Sequence, residues 1–546
     1  MKKDYNYLPL VSLTLPMVIF GQNVSAQSVL NAKSEVFGGD KKPNVILILA
    51  DDMGKGMISA YGQKQFETPN MDKLIVNGIS FNNAYACSYS APSRASLLTG
   101  YSDTHNGHWT KFKGMKYTVS DTSKIAVMEK FVDEHDTVLP KGDDYLAQVF
   151  NRAGYFTGEI GKLDYGFLGS RNQIKSHGWD YFYGYLDHGR CHGYYPPFLF
   201  ENNKIVMIKG NTRPHCGDVH MYNALADQKK YYDLRWDMKG KKQYSQDLFD
   251  QKIVEFIRSH KNKPFFLYHP SQLSHGALSI PKVNKAVKNN SNLNQLEKEY
   301  ASMVLRLDKT VGLIYDELKK QGILDNTIIV FSSDNGHESV YYQLEGHTSH
   351  TYNLKTGKKF DEYHNKYRST NGGDVFNGNM GMAGFKRRNL EGGIHVPLTF
   401  YWKDHFKAGE RNDVIANYDF LPTMADMLDV SVTAQKDGIS FLPLLLDEKQ
   451  TLPKNRYVLV DSYEGPAVIV NDGWKLRYTN VDDNYELFNI KDDLAEEHDL
   501  SAKYPDKVSE LKSILLHNVT YTICNEGYTS VKDCMKMIIL PKRKKQ

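Results

Sequence analysis

The sequence predicts an α/β fold in which a large, mainly parallel sheet lies between helices, followed by a smaller C-terminal α+β domain. Residues 43–50 form a continuous apolar run rich in β-branched side chains, typical of a strand buried on both faces of a parallel sheet. Further runs of this kind are separated by segments of helical periodicity, which indicates parallel pairing. From about residue 440 the pattern changes to shorter strand-like pieces and one final helix.

The first helix and the remaining strands of the large domain follow from local signals. Thr68 and Pro69 begin a helix in the order of cap residue and proline, and Gly78 ends it. A second helix is expected from about Asp143 to Arg152. Later strand-like runs are residues 155–160, 265–269, 327–332 and 397–401.

The strongest helical pattern lies between the middle two of these runs. Apolar side chains recur at alternating spacings of four and three from Tyr300 to Leu318, and Gly322 follows the end.

In sheets whose strands are separated by such helices, ligands bind beyond the carboxyl ends of the strands. Polar oxygens follow two of the predicted strands there, and such oxygens suit Ca²⁺ or Mg²⁺ better than zinc. They belong to Asp51, Asp52, Asp334 and Asn335.

We predict one domain over residues 42–435 and a smaller α+β domain over residues 440–546. The evidence for the second is a set of strand-like pieces at 457–460, 467–470 and 474–478, with a helix near 503–516. Neither an internal repeat nor a low-complexity tract is evident in the sequence.

Residues 1–26 have the pattern of a signal peptide. Lys2 and Lys3 precede an apolar run over residues 7–20, and a small-x-small pattern ends at Ala26. The run is interrupted by prolines and is short for a membrane span. We therefore expect an exported protein, periplasmic or secreted, without a membrane span.

Composition excludes some classes of function. Lys and Arg number 68 against 64 Asp and Glu, a formal net charge of +4, which gives no footprint for nucleic-acid binding. Five cysteines in 546 residues are too few for a disulfide framework.

The stretch from Cys87 to Gly100, CSYSAPSRASLLTG, combines a thiol, several hydroxyls and one arginine. It predicts a short helix with Pro92 in its first turn and Gly100 at its end. A group just before that turn lies at the positive end of the helix dipole, where a tetrahedral anion is held well. Ser90 is the residue so placed.

Ser90-x-Pro92-Ser93-Arg94, followed by Leu-Leu-Thr-Gly, resembles the signature of the type I sulfatases, in which the leading Cys or Ser is oxidised to formylglycine. Only Ser90 has proline two positions on and arginine four positions on, whereas Cys87 has tyrosine and alanine there. The resemblance extends over about residues 42–500. It implies an alkaline-phosphatase-like fold, a catalytic domain at 42–435, one Ca²⁺ ion, and conversion of Ser90 by an anaerobic maturing enzyme that accepts serine.

The same resemblance implies roles for further residues. Lys162 in Gly-Lys and Lys386 in Gly-Phe-Lys match the lysines that contact the sulfate, and His275 matches the histidine that faces the leaving oxygen. Arg94 would support the oxidised Ser90 as nucleophile. The implied calcium ligands are Asp51, Asp52, Ser90, Asp334 and Asn335.

Two positions depart from the family pattern. Asp164 stands where the family has a histidine close to the formylglycine, and we expect this carboxylate to accept a proton when sulfate leaves. His395 replaces an arginine that we expect to be structural.

The resulting prediction is an exo-acting glycan sulfatase that releases sulfate from galactose or N-acetylgalactosamine residues. Two segments rich in polar and aromatic residues, 187–200 and 337–380, are typical of sugar-binding loops. Candidate substrate-binding residues in them are His188, Arg190, His192 and Glu338. The alternatives are a phosphatase or phosphonate monoester hydrolase of the same superfamily, and an exported glycan-binding protein that has lost catalysis.

Overall fold

The computed structural model describes residues 41–105, 143–162, 169–187, 189–217, 233–339, 365–479 and 482–520, together with isolated residues at 33, 37, 125–127, 129–130, 341, 353, 356 and 358. Among these residues, no helix is long and apolar enough to cross a lipid bilayer. The predicted signal peptide lies outside the described residues.

Sixteen strands and eleven α-helices lie with both of their ends within the described part of the chain. The strands are β1 (Asn44–Ala50), β2 (Ile79–Phe81), β3 (Ala84–Tyr85), β4 (Phe156–Gly161), β5 (Tyr181–Gly184), β6 (Phe198–Glu201), β7 (Lys204–Met207), β8 (Phe265–Pro270), β9 (Thr327–Ser333), β10 (Leu398–Tyr401), β11 (Gly409–Arg411), β12 (Ile415–Ala416), β13 (Tyr457–Val460), β14 (Ala467–Val470), β15 (Trp474–Thr479) and β16 (Asn484–Asn489). The helices are α1 (Pro69–Val76), α2 (Ser90–Thr99), α3 (Leu146–Arg152), α4 (Ser245–His260), α5 (Lys285–Lys288), α6 (Gln295–Lys320), α7 (Ser369–Gly372), α8 (Glu391–Ile394), α9 (Phe420–Met427), α10 (Leu442–Leu446) and α11 (Pro505–Asn518).

The main sheet has ten strands in the order β11-β2-β10-β9-β1-β8-β4-β5-β6-β7. The five central strands, from β9 to β5, are all parallel. Antiparallel pairs occur only toward the two edges, where β10 lies between β9 and β2, and β6 and β7 extend the sheet beyond β5. The predicted mainly parallel α/β sheet is therefore confirmed, with an antiparallel extension on either side.

Helices cover both faces of this sheet, and strand β1, which is apolar after Asn44, supplies side chains to both cores. Val45, Leu47 and Leu49 pack on the side of α2, α3 and α9. The alternate side chains Ile46 and Ile48 pack on the side of α1, α4 and α6. The three-layer arrangement leaves the carboxyl ends of the parallel strands at one edge of the sheet.

A second sheet of four antiparallel strands, β13-β14-β15-β16, forms the smaller C-terminal unit. One face packs against the main unit through side chains such as Val458 and Ile469, which meet Tyr418. The other face is covered by α11 through Leu511 and Leu515. This is the smaller α+β part that the sequence predicts.

Candidate active site

Four oxygen-bearing side chains meet at the carboxyl ends of two adjacent strands. Asp51 and Asp52 follow β1, and Asp334 and Asn335 follow β9, which pairs in parallel with β1. The Asp52 amide donates to Asp334 Oδ1 at 3.2 Å, and Asn335 Nδ2 donates to Asp52 Oδ1 at 2.9 Å. All four residues are buried, so the strand topology places them together away from bulk water.

Ser90 is the first residue of α2 and lies between two of these carboxylates. Its Oγ lies 2.9 Å from Asp51 Oδ1 and 2.5 Å from Asp334 Oδ2, and its single hydrogen can be donated to either. Arg94, one turn further along the helix, places Nη2 2.8 Å from Asp334 Oδ2 and 3.4 Å from Asp51 Oδ2. The hydroxyl is thus held at a helix amino terminus, where backbone N–H groups favour negative charge.

Cys87 lies in a different environment. Its Sγ contacts the Ser96 hydroxyl at 3.2 Å and is buried. Burial, with the nearby Asp103, raises the pKa of the Cys87 thiol well above its usual range. A thiol that stays protonated is a poor nucleophile, so Ser90 remains the better candidate in this stretch.

Two buried lysines pair with the carboxylates. Lys162, directly after β4, places Nζ 2.5 Å from Asp51 Oδ2, and Lys386 places Nζ 2.6 Å from Asp52 Oδ1. The Lys162 side chain has no exposed surface and that of Lys386 is 5% exposed. Both cations are therefore available inside the site for an anionic group.

His275 lies in the loop after β8, with Nε2 3.5 Å from Asp52 Oδ2. Its Nδ1 contacts the carbonyl of Gly276, which indicates that Nδ1 carries a hydrogen and leaves Nε2 facing the site. The Tyr194 hydroxyl lies 2.7 Å from the carbonyl of His275 and fixes the loop. The ring of His192 stacks on that of His275, with centroids 4.2 Å apart and planes 12° apart.

Burial and neighbouring charges shift the pKa values of these groups in different directions. Burial and the negative charge of Asp51 raise the pKa of Asp334 to about 6. Burial acts on Asp51 in the same direction, but Lys162, His275 and Arg94 together hold its pKa well below the usual range. Burial also lowers the pKa of His275 to about 4, against the opposing effect of Asp52. Asp334 is therefore the carboxylate of the cluster that takes up a proton most easily.

The donor set fits a hard divalent cation. Within the part of the chain that the structure describes, Asp52 Oδ2 and Asn335 Oδ1 are buried and take part in no hydrogen bond. Such atoms are expensive to bury unless they bind a ligand. Ligand atoms of Asp51, Asp52 and His275 also lie within 4.8 Å of one another. Oxygen donors in this number suit Ca²⁺ or Mg²⁺.

The candidate substrate-binding residues fall into different positions. His192 lies against His275. Arg190 is fully buried, donates from Nη2 to the carbonyl of Phe198 at 2.6 Å and stacks on the Phe198 ring at 3.6 Å. Glu338 is also buried, and its Oε2 accepts from Arg387 at 2.8 Å. Arg190 therefore packs inside the protein, which differs from the predicted contact with substrate.

Three predicted positions remain to be placed. Asp164 and His188 lie outside the described residues. His395 places Nδ1 3.1 Å from Glu391 Oε2 and its Nε2 on the carbonyl of Asn82. These contacts agree with the structural role expected for His395.

Sequence reasoning missed three residues near the site. Arg387 follows Lys386 directly, so its position next to a predicted sulfate ligand was a usable signal. Tyr89 precedes Ser90 and stacks on Tyr463, with centroids 5.4 Å apart and planes 19° apart. Tyr463 comes from the turn between β13 and β14, and nothing local in the sequence connects it to Ser90.

A cluster of carboxylate and amide oxygens with buried cations, at the strand ends of such a sheet, fits a hydrolase of charged esters. The sulfatase family model matches residues 43–430, well over half of the chain, and the chain belongs to that family, whose members hydrolyse sulfate esters. A second model, described as the C-terminal part of N-sulphoglucosamine sulphohydrolase, matches residues 381–520.

Relatives and solved structures agree with this assignment. An N-acetylgalactosamine-6-O-sulfatase of Bacteroides thetaiotaomicron is 24% identical, over 87% of this chain and 93% of its own. The human N-acetylgalactosamine-6-sulfatase is 25% identical over 75% of this chain and 67% of its own. A sulfatase structure from work on glycosaminoglycan metabolism by B. thetaiotaomicron has a TM-score of 0.65 at 22% identity, covering 88% of this chain and 100% of that chain. This structural likeness confirms the expected alkaline-phosphatase-like fold.

Proposed function

We propose that the protein hydrolyses sulfate esters of carbohydrates through a formylglycine made from Ser90, with one Ca²⁺ ion. The observation that carries the proposal is the position of Ser90 Oγ, within 2.9 Å of two carboxylates and at the start of a helix. Asp51, Asp52, Asp334 and Asn335 would hold the ion together with the oxidised Ser90. When present, the ion and the aldehyde supply the attacking oxygen and withdraw charge from it.

The side chains of the protein bind the sulfate and donate or accept protons around Ser90. Lys162 and Lys386 neutralise the sulfate oxygens as negative charge grows on them, which is a large contribution in a buried site. Arg94 keeps Asp334 and Asp51 ionised beside Ser90. These three cations are buried, so no reorganisation of water opposes them during the reaction.

His275 gives a proton to the departing sugar oxygen from Nε2. Burial lowers the pKa of His275 to about 4 even with Asp52 at 3.5 Å, so the negative charge of the bound sulfate would have to favour the protonated ring. Asp164 would accept a proton when sulfate leaves. The assignment of His275 follows the family pattern, whereas Asp164 stands where the family has a histidine.

We infer that the substrate is a sulfated glycan whose terminal galactose or N-acetylgalactosamine bears the ester. Relatives named as N-acetylgalactosamine-6-sulfatases, from a bacterium and from human, support this class. The signal-peptide pattern supports export to the periplasm or secretion. A glycan too large to enter the cell is then reached outside the cytoplasm.

Production in two hosts tests the maturation of Ser90. With the anaerobic maturing enzyme that accepts serine, mass spectrometry of the Ser90 peptide should find the aldehyde, and sulfate should be released from N-acetylgalactosamine 6-sulfate. With only the oxygen-dependent enzyme, the serine should stay unmodified and Ser90→Cys should restore activity. Full activity of the unmodified serine protein would overturn the proposal.

Metal content separates the proposal from a phosphatase or phosphonate monoester hydrolase. A phosphonate monoester hydrolase of Agrobacterium radiobacter has the same fold, with a TM-score of 0.51 at 16% identity, covering 87% of this chain and 96% of that chain. We expect one Ca²⁺ ion per chain and faster hydrolysis of sulfate esters than of phosphate esters. Zinc dependence with preferred phosphate turnover would favour the phosphatase, and sugar binding without turnover by the aldehyde-bearing protein would favour a glycan-binding protein.

A further inference from the structure

Arg387 differs from the other cations near the site. Arg94, Lys162 and Lys386 are at most 5% exposed, and each pairs with a carboxylate of the proposed metal site. The Arg387 side chain is 40% exposed, and its Nη1 pairs instead with Glu338 Oε2 at 2.8 Å. Within the described residues, Arg387 Nε and Nη2 make no hydrogen bond. Its guanidinium thus keeps two nitrogens whose N–H groups bond to no other described residue.

The backbone of Arg387 is held on two sides. Its N–H donates to the carbonyl of Ser88 at 2.6 Å, and its carbonyl accepts from the N–H of Tyr463 at 3.2 Å. Its φ of +77° lies in the left-handed region, which non-glycine residues adopt mainly where the surrounding structure imposes it. This fixed backbone places Arg387 beside the segment that leads to Ser90.

Glu338 fixes the guanidinium relative to the metal site. The carboxylate is 3% exposed, and the Glu338 N–H donates to the carbonyl of Asp52 at 3.3 Å. Burial would lower the pKa of Arg387, but Glu338, Tyr463 and Asp52 raise it, so the side chain stays charged. The buried carboxylate acts through Arg387 and is a positioning residue.

We propose that Arg387 binds a second anionic group of the substrate, a sulfate or carboxylate carried by the sugar that bears the cleaved sulfate or by its neighbour. The inference rests on the proposed function and specifies its substrate as a multiply charged glycan. A guanidinium presents parallel N–H groups that match the paired oxygens of such groups, and these charge-assisted hydrogen bonds are strong. Tyr463, which is half-buried, lies next to Arg387 through the bond from its backbone N–H to the Arg387 carbonyl.

Binding to the Ser90→Ala protein measures recognition without turnover. Calorimetric titration would compare N-acetylgalactosamine 6-sulfate with the 4,6-disulfate, and with a disaccharide that adds a uronic acid to the 6-sulfated sugar. At least one second anion should tighten binding by about tenfold or more, the gain expected from a charged hydrogen bond. Arg387→Ala in the same background should abolish that gain. It should change the affinity for N-acetylgalactosamine 6-sulfate much less than the affinity for the ligand with the second anion.

Arg258→Ala is the matched control. Arg258 is 50% exposed and pairs with Glu317 at 2.7 Å, where the carboxylate is 7% exposed, but this pair joins α4 and α6. The Arg258→Ala protein should keep the tighter binding that the second anion gives. If Arg387→Ala does not fold, as judged by circular dichroism, Arg387→Lys replaces it. That variant keeps the charge but not the planar fork, and it should lose most of the gain.

The ligands distinguish the outcomes. A gain with the disulfate identifies sulfate as the second anion, and a gain with the uronate identifies carboxylate. If the 6-sulfate binds and neither second anion tightens binding, or if the gain survives Arg387→Ala or Arg387→Lys, the inference is overturned while the proposed function stands. If no sulfated sugar binds and the matured enzyme releases no sulfate, both are overturned.

Discussion

His275→Ala tests whether this histidine protonates the leaving oxygen. The loop backbone is held by Tyr194, and removal of the ring takes away the contact of Nδ1 with the Gly276 carbonyl, the 3.5 Å contact with Asp52 and the stack on His192. Sugar sulfates leave as poor alkoxides and need the proton, so their kcat/KM should fall by about 10²–10⁴-fold. Nitrophenyl sulfate leaves as a stable anion, and its loss should stay below about tenfold.

The assay measures kcat/KM for both substrates with fully matured protein, and mass spectrometry confirms equal aldehyde content in every variant. His405→Ala is the matched control, because His405 also stacks on an aromatic ring, that of Trp402 at 4.1 Å, outside the candidate site. It should leave both substrates unchanged. His275→Gln should behave like His275→Ala, since an amide cannot supply the proton.

Equal loss for the two substrates would refute the general-acid role. It would show that His275 acts in a step common to both, such as holding the metal ion with Asp51 and Asp52, whose ligand atoms lie within 4.8 Å of those of His275. Calcium affinity would then fall in His275→Ala, which titration calorimetry of the metal-stripped protein would detect.

Three further predictions concern the metal, the domain contact and the second proton transfer. Asp51→Asn should weaken calcium binding at least about tenfold, and unchanged affinity in titration calorimetry would exclude Asp51 as a ligand. Lys475→Ala should lower the free energy of unfolding by about 3–5 kcal/mol, because Glu391 and Glu496 then stay buried without their cation. Urea unfolding measures this, and a loss under about 1 kcal/mol would contradict it. Asp164→Ala should give a burst of sugar followed by slow sulfate release in rapid-mixing experiments, and an unchanged time course would make Asp164 dispensable.

Local sequence signals located the central elements well. The apolar run at 43–50 corresponds to β1 (Asn44–Ala50), and the periodic segment from Tyr300 to Leu318 lies within α6 (Gln295–Lys320). Both elements are long and buried, and their apolar residues recur regularly, so the sequence pattern was enough to predict them. Ser90 is the first residue of α2 rather than the residue before it, a difference of one position that leaves its hydroxyl at the helix start.

Elements toward the sheet edges were harder to predict. Residues 187–200 are expected to form a sugar-binding loop, but they include β6 (Phe198–Glu201) in part and bury Arg190. Short aromatic strands are stabilised by pairing with strands that are distant in sequence, so the local pattern does not predict them. A buried arginine can be predicted only when the carbonyl group that it bonds to is known. The contact of Tyr463 with Tyr89 also depends on tertiary packing.

The turn between β13 and β14 makes a separate set of contacts with the segment after Lys386. Glu464 pairs with Arg388 at 2.8 Å, and the Gly465 carbonyl accepts from Asn389 at 2.9 Å. Neither contact involves the oxygen cluster. Under the proposed role of Arg387, sequence change in this turn would alter which glycan binds without changing the oxygen cluster. Grafting the turn between related chains, followed by comparison of their substrates, would test this consequence.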